Sequence, residues 1–356
     1  MEHVSKLNFS GQTIYVGLDV HKKSWSVSIF SEQCEHKTFT QPPKTDTLVH
    51  YLKRNFPGAA YHAVYEAGFS GFWAQEQLQE KGVNCIVVNP ADVPTTNKER
   101  TTKRDRTDCR KLARSLRSGE LEGIYVPSRL KLEDRSLVRT RQSMVRKQTR
   151  CKNQIKALLY FYGINLPEEV VDSHWSQKFL HWLESLRMKR ASGDMVLKVH
   201  LDELQHLKRN IASLNRAIIL LSREPEYHHS VRLLKTIPGI STLAAMIFLT
   251  ELGELARFAS LDKLASYVGL IPDVESTGDT EQIKNLTRRR NPQLRALLIE
   301  AAWVAARKDP VLLLAFNNYC QRMKKTRAVV KIARKLLNRM RYVLKNQAEY
   351  VPAVVQ

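Results

Sequence analysis

The chain has 356 residues and a formal net charge of +22, which results from 57 Lys and Arg against 35 Asp and Glu. This is enough chain for two or three domains and too basic for an ordinary metabolic enzyme, so we expect a polyanionic partner. Apolar residues make up 43% of the chain, which is enough to predict a folded protein. The sequence has no long apolar run and no apolar leader, so we expect a cytoplasmic protein without a membrane span. Its five cysteines are scattered, which predicts reduced thiols.

The first third of the sequence has the pattern of an α/β domain. Alternating apolar and polar residues predict strands, and apolar residues at helical spacing predict helices. The strands come first as a hairpin and then alternate with helices. The predicted elements are, in chain order, 13–20 (strand), 25–30 (strand), 46–55 (helix), 61–65 (strand), 70–81 (helix), 83–88 (strand) and 105–118 (helix).

The middle of the chain lacks strand signals from about 130 to 228. Apolar residues recur there every seven positions, which predicts a long helix with a coiled-coil type of seam. The seam fits two arrangements, an intramolecular helical hairpin against residues 131–160 and a contact between the subunits of a dimer. Its residues are Leu197, Leu204, Ile211 and Ile218, with Leu207, Leu214 and Leu221 at the complementary positions.

The last part of the chain is predicted to be mostly helical. Pro225 ends the long helix, and Pro238 with Gly239 separates two helices in a way that resembles a helix-hairpin-helix motif, whose backbone N–H groups grip a DNA phosphate. A Pro-Gly pair is also a common turn between helices. The expected domains are an α/β domain at 1–128, a helical coiled-coil region at 129–228 and a C-terminal domain at 229–356.

Positive charge is concentrated in two stretches. Residues 97–156 hold 19 Lys and Arg against 7 Asp and Glu, and residues 281–345 hold 17 against 3. Such stretches are often only solvated helix faces, but phosphate backbones supply the counter-charge that two dense basic surfaces need. A membrane surface is a weaker match, because the basic helices lack an apolar face that would enter lipid.

Four carboxylates stand where an α/β fold can gather them. Asp19 and Glu66 end predicted strands, and Asp105 and Asp108 lie three residues apart on one face of a predicted helix. Acids that converge in a basic domain need a cation between them, and two Mg²⁺ ions about 3.5–4 Å apart would support phosphoryl transfer. Each acid alone also fits a purely structural role at a turn or a helix start.

Eight short motifs are spread over nearly the whole chain. They are Gly-Leu-Asp-Val-His-Lys at 17–22, Tyr-Glu-Ala-Gly at 65–68, Val-Val-Asn-Pro-Ala at 87–91, Lys-Arg-Asp-Arg-Thr-Asp-Cys-Arg-Lys-Leu-Ala at 103–113, Ile-Pro-Gly-Ile at 237–240, Ser-Tyr-Val-Gly-Leu-Ile-Pro at 266–272, Ser-Thr-Gly at 276–278 and Leu-Arg-Ala-Leu-Leu at 294–298. In order and spacing they resemble the DEDD transposases of bacterial insertion sequences, the insertion-sequence 110 and 1111 group.

This resemblance implies a DNA recombinase that is guided by RNA. The implied fold is an RNase H or RuvC-like N-terminal domain followed by a C-terminal transposase domain, with Asp19, Glu66, Asp105 and Asp108 as Mg²⁺ ligands. A serine of the C-terminal domain would attack DNA and form a transient phosphoserine link. The implied partners are donor and target DNA, a structured bridge RNA, and further copies of the chain as a homodimer that assembles into a tetramer, in the cytoplasm and at the nucleoid when active.

Two positions depart from the family pattern. The family has a serine directly before a glycine, whereas this chain has Ser276-Thr277-Gly278. Either hydroxyl is therefore a candidate nucleophile, and Ser276 is favoured because the methyl group of Thr277 would crowd an in-line attack. The family's Gly-Asn pair is Arg290-Asn291 here, which implies a different turn or an added phosphate contact. The residues expected to contact nucleic acid are Lys103, Arg104, Arg106, Gly239, Arg288, Arg289, Arg290 and Arg295.

Two other functions remain open at this point. One is a RuvC-like, structure-specific DNA nuclease in which water attacks the phosphate and the C-terminal domain only binds. A covalent adduct between protein and DNA would distinguish the recombinase from it. The other is a nucleic-acid-binding scaffold without catalysis, which is disfavoured because all four acids are present.

Overall fold

The computed structural model describes residues 8–94, 105–167, 175–277 and 280–352, with the backbone alone at 105–106, 274–277 and 280–284. Contacts divide the chain into two compact units, Met1–Val126 and Pro127–Gln356. The division into three domains stays a prediction. Among the described residues, no helix combines the length and the apolar character that crossing a membrane requires.

The first unit is built on a five-stranded sheet. Its strands are β1 Thr13–Val20, β2 Trp25–Phe30, β3 Glu35–Gln41, β4 Ala60–Glu66 and β5 Asn84–Val88, and its helices are α1 Thr45–Asn55, α2 Trp73–Glu80 and α3 Asp105–Arg117. The strand order is β3-β2-β1-β4-β5; β2 and β3 pair antiparallel, and β4 and β5 run parallel to β1. The predicted α/β class is confirmed, and this order is consistent with the RNase H-like arrangement that the resemblance implies.

The sequence pattern does not predict β3. Its residues are Glu-His-Lys-Thr-Phe-Thr-Gln, and among them Gln41 alone is buried. A strand at the edge of a sheet is often charged and exposed, so the apolar alternation that marks the other strands is absent from it.

The two faces of the sheet are covered by different helices. Val16 and Leu18 of β1 belong to one apolar core with Leu48 of α1 and Leu78 of α2, and all four side chains are fully buried. The opposite face carries α3, whose backbone rests directly on Gly17 of β1. A Cβ atom at Gly17 would lie 2.0 Å from the carbonyl oxygen of Cys109 and 2.5 Å from the amide nitrogen of Ala113.

We expect Gly17→Ala to destabilise the first unit. The added methyl group meets helix backbone, which cannot move aside without shifting α3, so the cost should lie at or above the upper end of the ~1–3 kcal/mol that overpacking usually carries. Urea unfolding of the full chain measures it. Gly68→Ala is the control, since a Cβ there comes no closer than 4.0 Å to the carbonyl oxygen of Glu66. Equal stability of the two variants would contradict the packing described.

The second unit is mostly helical, as predicted, with one two-stranded antiparallel ribbon that the sequence pattern does not predict. The ribbon joins two parts of the helical array. The elements in chain order are α4 Arg129–Phe161, α5 Gln177–Ser185, α6 Ala191–Leu221, α7 Pro225–Lys235, α8 Thr242–Leu252, α9 Leu261–Val268, β6 Pro272–Thr277, β7 Thr280–Leu286, α10 Pro292–Lys308, α11 Pro310–Cys320 and α12 Lys325–Asn346.

The helices α4 and α6 form a hairpin within the chain. Leu197, Leu201 and Leu204 of α6 are buried in one apolar cluster with Cys151 and Ile155 of α4. The N-terminal part of the seam on α6 is thus covered by the same chain, and Ile218 is buried in a second core with Val138 of α4. Of the two arrangements that the seam allows, the structure has the intramolecular hairpin.

The Pro-Gly turn between α7 and α8 is packed against another helix. Gly239 has a φ of +93°, and a Cβ there would lie 2.6 Å from the carbonyl oxygen of Ala301 in α10. After the turn, the hydroxyl of Ser241 accepts a hydrogen bond from the backbone N–H of Ala244 at 3.1 Å and caps α8. Packing therefore accounts for the glycine, and its predicted contact with phosphate stays a prediction.

Candidate functional site

Asp19 and Glu66 lie on neighbouring strands at the same edge of the sheet. β1 and β4 are parallel, and Leu18 is opposite Tyr65 in their register, so the next residue of each strand is an acid. Leu18 and Tyr65 belong to the core on the α1 and α2 face. Because successive residues of a strand alternate between faces, both acids are on the α3 face. The Asp19 side chain is 23% exposed, so it is accessible from solvent.

The helix α3 brings further acids to this face. The close contact at Gly17 fixes α3 across β1, two residues before Asp19. Burial, and then the negative charge of Asp19, raise the pKa of the Cys109 thiol to about 12, which places Asp19 near this part of the helix. Asp108 directly precedes Cys109 and is partly exposed. Asp105 begins the helix, and its side chain lies outside the described part of the chain.

His21 is a neighbour of the acids that the sequence analysis missed. Its Nε2 atom lies 3.0 Å from Oδ2 of Asp19, and its side chain is about half exposed. A histidine two residues after a strand-end acid was the available signal, but the pattern alone does not show which way the ring turns. This contact fixes the position of one carboxylate oxygen of Asp19.

The predicted nucleophiles stand on the ribbon. In its register, Ser276 is opposite Glu281 and Thr277 is opposite Thr280. The two candidates thus occupy consecutive strand positions, which belong to opposite faces of the ribbon. Their side chains lie outside the described part of the chain, as does that of Arg106, while Lys103 and Arg104 fall wholly outside the described residues.

An exposed run of three arginines, Arg288 to Arg290, connects the ribbon to α10. Asn291 follows and caps α10, because its Oδ1 atom accepts hydrogen bonds at 3.1 Å from the backbone N–H groups of Gln293 and Leu294. Arg290 is not among the described non-glycine residues with positive φ, so this position does not need the glycine of the family pattern. Its Cβ atom packs against Gly269, where a methyl group would come within 2.4 Å of it.

Arg295 lies one turn into α10 and is held from the ribbon side. Its Nη2 atom donates to the carbonyl oxygen of Thr287 at 2.6 Å. Its Nε atom is buried and makes no hydrogen bond with any described residue. Burial, and then the charge of Arg290, lower the pKa of Arg295. Arg295 is therefore a cation whose position is fixed by the end of the ribbon.

A wide cationic groove opens next to Arg295 in the second unit. Its volume is about 1370 Å³, and the base of the ribbon and the helices α9, α11 and α12 form its walls. No described acid lines it. Three of its cations, Arg327, Lys331 and Lys335, repeat every four residues along α12, a spacing that the sequence analysis did not use. The basic side chains that line the groove are Arg295, Arg322, Arg327, Lys331, Arg334 and Lys335.

A buried ionic network fixes the start of α10. The fully buried Glu251 of α8 accepts hydrogen bonds from Nε and Nη2 of Arg139 in α4 at 2.6 and 2.8 Å. It also accepts one from Nδ2 of Asn291 at 2.9 Å. Burial raises the pKa of Glu251, but the hydrogen bonds from Arg139 and Asn291 outweigh burial, so this pKa lies below its ordinary value of 4.5.

We expect Glu251→Gln to lower the free energy of unfolding by about 3 kcal/mol at neutral pH. This is the lower end of the usual cost of breaking a buried ion pair, because Arg139 is half exposed. A carboxylate with a lowered pKa stabilises the fold above its unfolded pKa and stops doing so as the pH falls through the folded pKa. The difference from the wild type should therefore shrink below pH 4.5. Urea unfolding over a pH series measures it, with the exposed Glu226→Gln as control. A difference that is independent of pH would contradict this assignment.

Comparison with known proteins points to one group. The family described as "Transposase IS116/IS110/IS902 family" matches residues 231–316, and the DEDD transposases of the IS110 type match residues 16–164. The Sinorhizobium fredii protein y4qE is 27% identical over 293 residues, 81% of this chain and 71% of that protein. The transposase for insertion sequence element IS1533 of Leptospira borgpetersenii is 24% identical over 302 residues, 82% of this chain and 84% of that protein. The pilin gene-inverting protein of Moraxella bovis is 31% identical over 144 residues, 38% of this chain and 44% of that protein.

Proposed function

Because this chain belongs to the DEDD transposases of the IS110 group, we propose that it moves an insertion sequence by combining metal-binding acids with a hydroxyl nucleophile. The observation that carries the proposal is the position of Asp19 beside Glu66 on the face that α3 covers. Two acids stand on adjacent strands, and the helix above them contributes further carboxylates among its basic residues. Such a group suits a divalent cation and a phosphate.

Mg²⁺ fits the acids of the first unit. Carboxylate oxygens are the ligands that Mg²⁺ prefers, and Asp19 is partly exposed and therefore accessible to it. Asp19, Glu66, Asp105 and Asp108 would hold the metal, two ions in all, while His21 would orient Asp19 through their 3.0 Å contact. When bound, Mg²⁺ stabilises the negative charge that develops on the attacking and leaving oxygens of a phosphoryl transfer.

The hydroxyl of Ser276, or of Thr277, would attack a DNA phosphodiester. Its oxygen forms a bond to phosphorus and releases its proton, one bridging P–O bond breaks, and the leaving oxygen takes up a proton. The product is a covalent link between protein and DNA. A hydroxyl of another DNA strand can then attack the same phosphorus, which rejoins the DNA and frees the side chain. No nucleotide cofactor is needed, because the number of phosphoester bonds is unchanged.

The cationic groove of the second unit is our candidate for nucleic-acid binding. Six basic side chains line the groove; Arg334 pairs with Asp262, and the other five attract a phosphate backbone. Arg288 and Arg289 extend the same charge toward the ribbon. We propose that these residues, together with the basic start of α3, bind donor DNA, target DNA and a structured bridge RNA.

Neutralising the groove should weaken binding and its salt dependence together. Each phosphate contact adds about 0.9 to the slope of log K against log salt, so Arg327→Gln, Lys331→Gln and Lys335→Gln combined should reduce that slope by about 3. Titrations of labelled DNA at several salt concentrations measure it. The control replaces three exposed cations of the first unit, Lys44, Lys53 and Arg54, by glutamine. Equal slopes for the two triple variants would show that the groove is not the site of DNA binding.

A covalent adduct is the direct test of the composite mechanism. The full chain is incubated with Mg²⁺, labelled DNA and the matching guide RNA, and the products are denatured and separated by size. The recombinase leaves labelled DNA attached to protein. Cleavage without an adduct would support the nuclease reading instead.

Assembly belongs to the same proposal. We propose that the homodimer and the tetramer use surfaces other than the N-terminal part of the heptad seam, which packs against α4 within the chain. Mass measurements with and without guide RNA and DNA would give the number of subunits.

A further inference from the structure

Three side chains of ligand type converge in the helical hairpin, and the proposed function uses none of them. Cys151 belongs to α4, and His200 and Glu203 belong to α6. One sulfur, one imidazole nitrogen and one carboxylate oxygen from these residues lie within 4.8 Å of one another. In the sequence, Cys151 is one of five scattered cysteines interpreted as reduced thiols, and His200 and Glu203 follow it only about fifty residues later.

The fold brings the three together by simple helix geometry. His200 and Glu203 are three residues apart on α6, so they share one face of that helix. Cys151 comes from the facing helix, where it is 1% exposed. Its thiol donates to the backbone carbonyl of His200 at 3.3 Å, which holds the sulfur next to the other two groups.

One ring nitrogen of His200 indicates a ligand at this cluster. The Nδ1 atom of His200 is buried and has no hydrogen-bond partner among the described residues. An imidazole nitrogen with a free lone pair is a common metal ligand. The sulfur of Cys151 and a carboxylate oxygen of Glu203 lie close enough to complete a metal site with it.

We propose that Cys151, His200 and Glu203 bind a Zn²⁺ ion that clamps α4 to α6, with water as the fourth ligand. Sulfur, nitrogen and oxygen ligands together favour zinc over magnesium. Tetrahedral zinc places a sulfur and a nitrogen ligand roughly 3.5 Å apart, so small side-chain rotations close the observed spacing. The Zn–S bond forms as the thiol releases its proton to solvent, and no group changes oxidation state.

Cobalt is the probe that tests the site. The full-length protein is stripped of metal with a chelator and titrated with Co²⁺, which gives a thiolate-to-cobalt charge-transfer band only where a cysteine binds it. We expect one equivalent of Co²⁺ to produce the band and Zn²⁺ to abolish it. Cys151→Ser should lose the band, and Glu203→Gln, at an exposed position, should weaken binding by at least about 10-fold.

Two control variants cover the other plausible thiol sites. Cys34 is exposed and its sulfur lies 3.9 Å from Nε2 of His36, and Cys109 is close to the acids near Asp19. Cys34→Ser and Cys109→Ser should keep the band. No band in the folded wild type, or a band that persists in Cys151→Ser, would overturn the zinc site. Neither result bears on transposition, because the measurement contains no nucleic acid.

Discussion

Asn in place of Asp19 is expected to reduce DNA cleavage by at least about 100-fold while guide RNA binding stays unchanged. Asparagine keeps the shape of the side chain and removes the negative charge that holds metal. The contact with His21 would also change, because an amide cannot offer two equivalent oxygens to a histidine and a metal. Cleavage rates under single-turnover conditions at saturating Mg²⁺ measure the effect.

Asp46→Asn provides the matched control for this variant. Asp46 is an exposed acid at the start of α1 that pairs with Lys81, and its loss should leave cleavage at the native rate. Glu66→Gln, Asp105→Asn and Asp108→Asn should resemble Asp19→Asn. Any one of the four that cleaves at the native rate is not a metal ligand.

Ser276→Ala is expected to abolish the covalent adduct, with a loss of strand exchange of at least about 10³-fold. The substitution removes the attacking oxygen and leaves the strand, the ribbon register and the basic groove in place. Assembly with DNA and guide RNA should therefore persist. Adducts are trapped by denaturation and counted with labelled DNA.

Thr277→Ala is the natural comparison, because the two residues are neighbours on one strand and occupy opposite faces of it. We expect this variant to keep measurable adduct formation. If Thr277→Ala loses the adduct and Ser276→Ala keeps it, Thr277 is the nucleophile. If both variants still form the adduct, the hydroxyl mechanism is wrong for this chain.

The strand that carries Asp19 is predictable because its residues alternate, and the predicted strand at 61–65 runs directly into Glu66. Their adjacency follows from the parallel pairing of β1 with β4, which the sequence order of strands and helices favours. The structure explains the glycine at position 17, since only a residue without a side chain allows the backbone of α3 to come so close.

Other features depend on contacts that no local pattern reports. The cationic groove needs α9, α11, α12 and the ribbon in their final positions, although the four-residue spacing on α12 was visible. The pair of Arg139 with Glu251 joins residues more than a hundred positions apart. The cluster of Cys151 with His200 and Glu203 also depends on long-range contacts, since it forms only when α4 and α6 pair.

The shielded thiol of Cys109 has a consequence for tolerance to oxidants. The thiolate is the form of cysteine that peroxides and disulfides attack, and burial with the charge of Asp19 suppresses that form at any physiological pH. We therefore expect Cys109 to react with peroxide more slowly than the exposed Cys34.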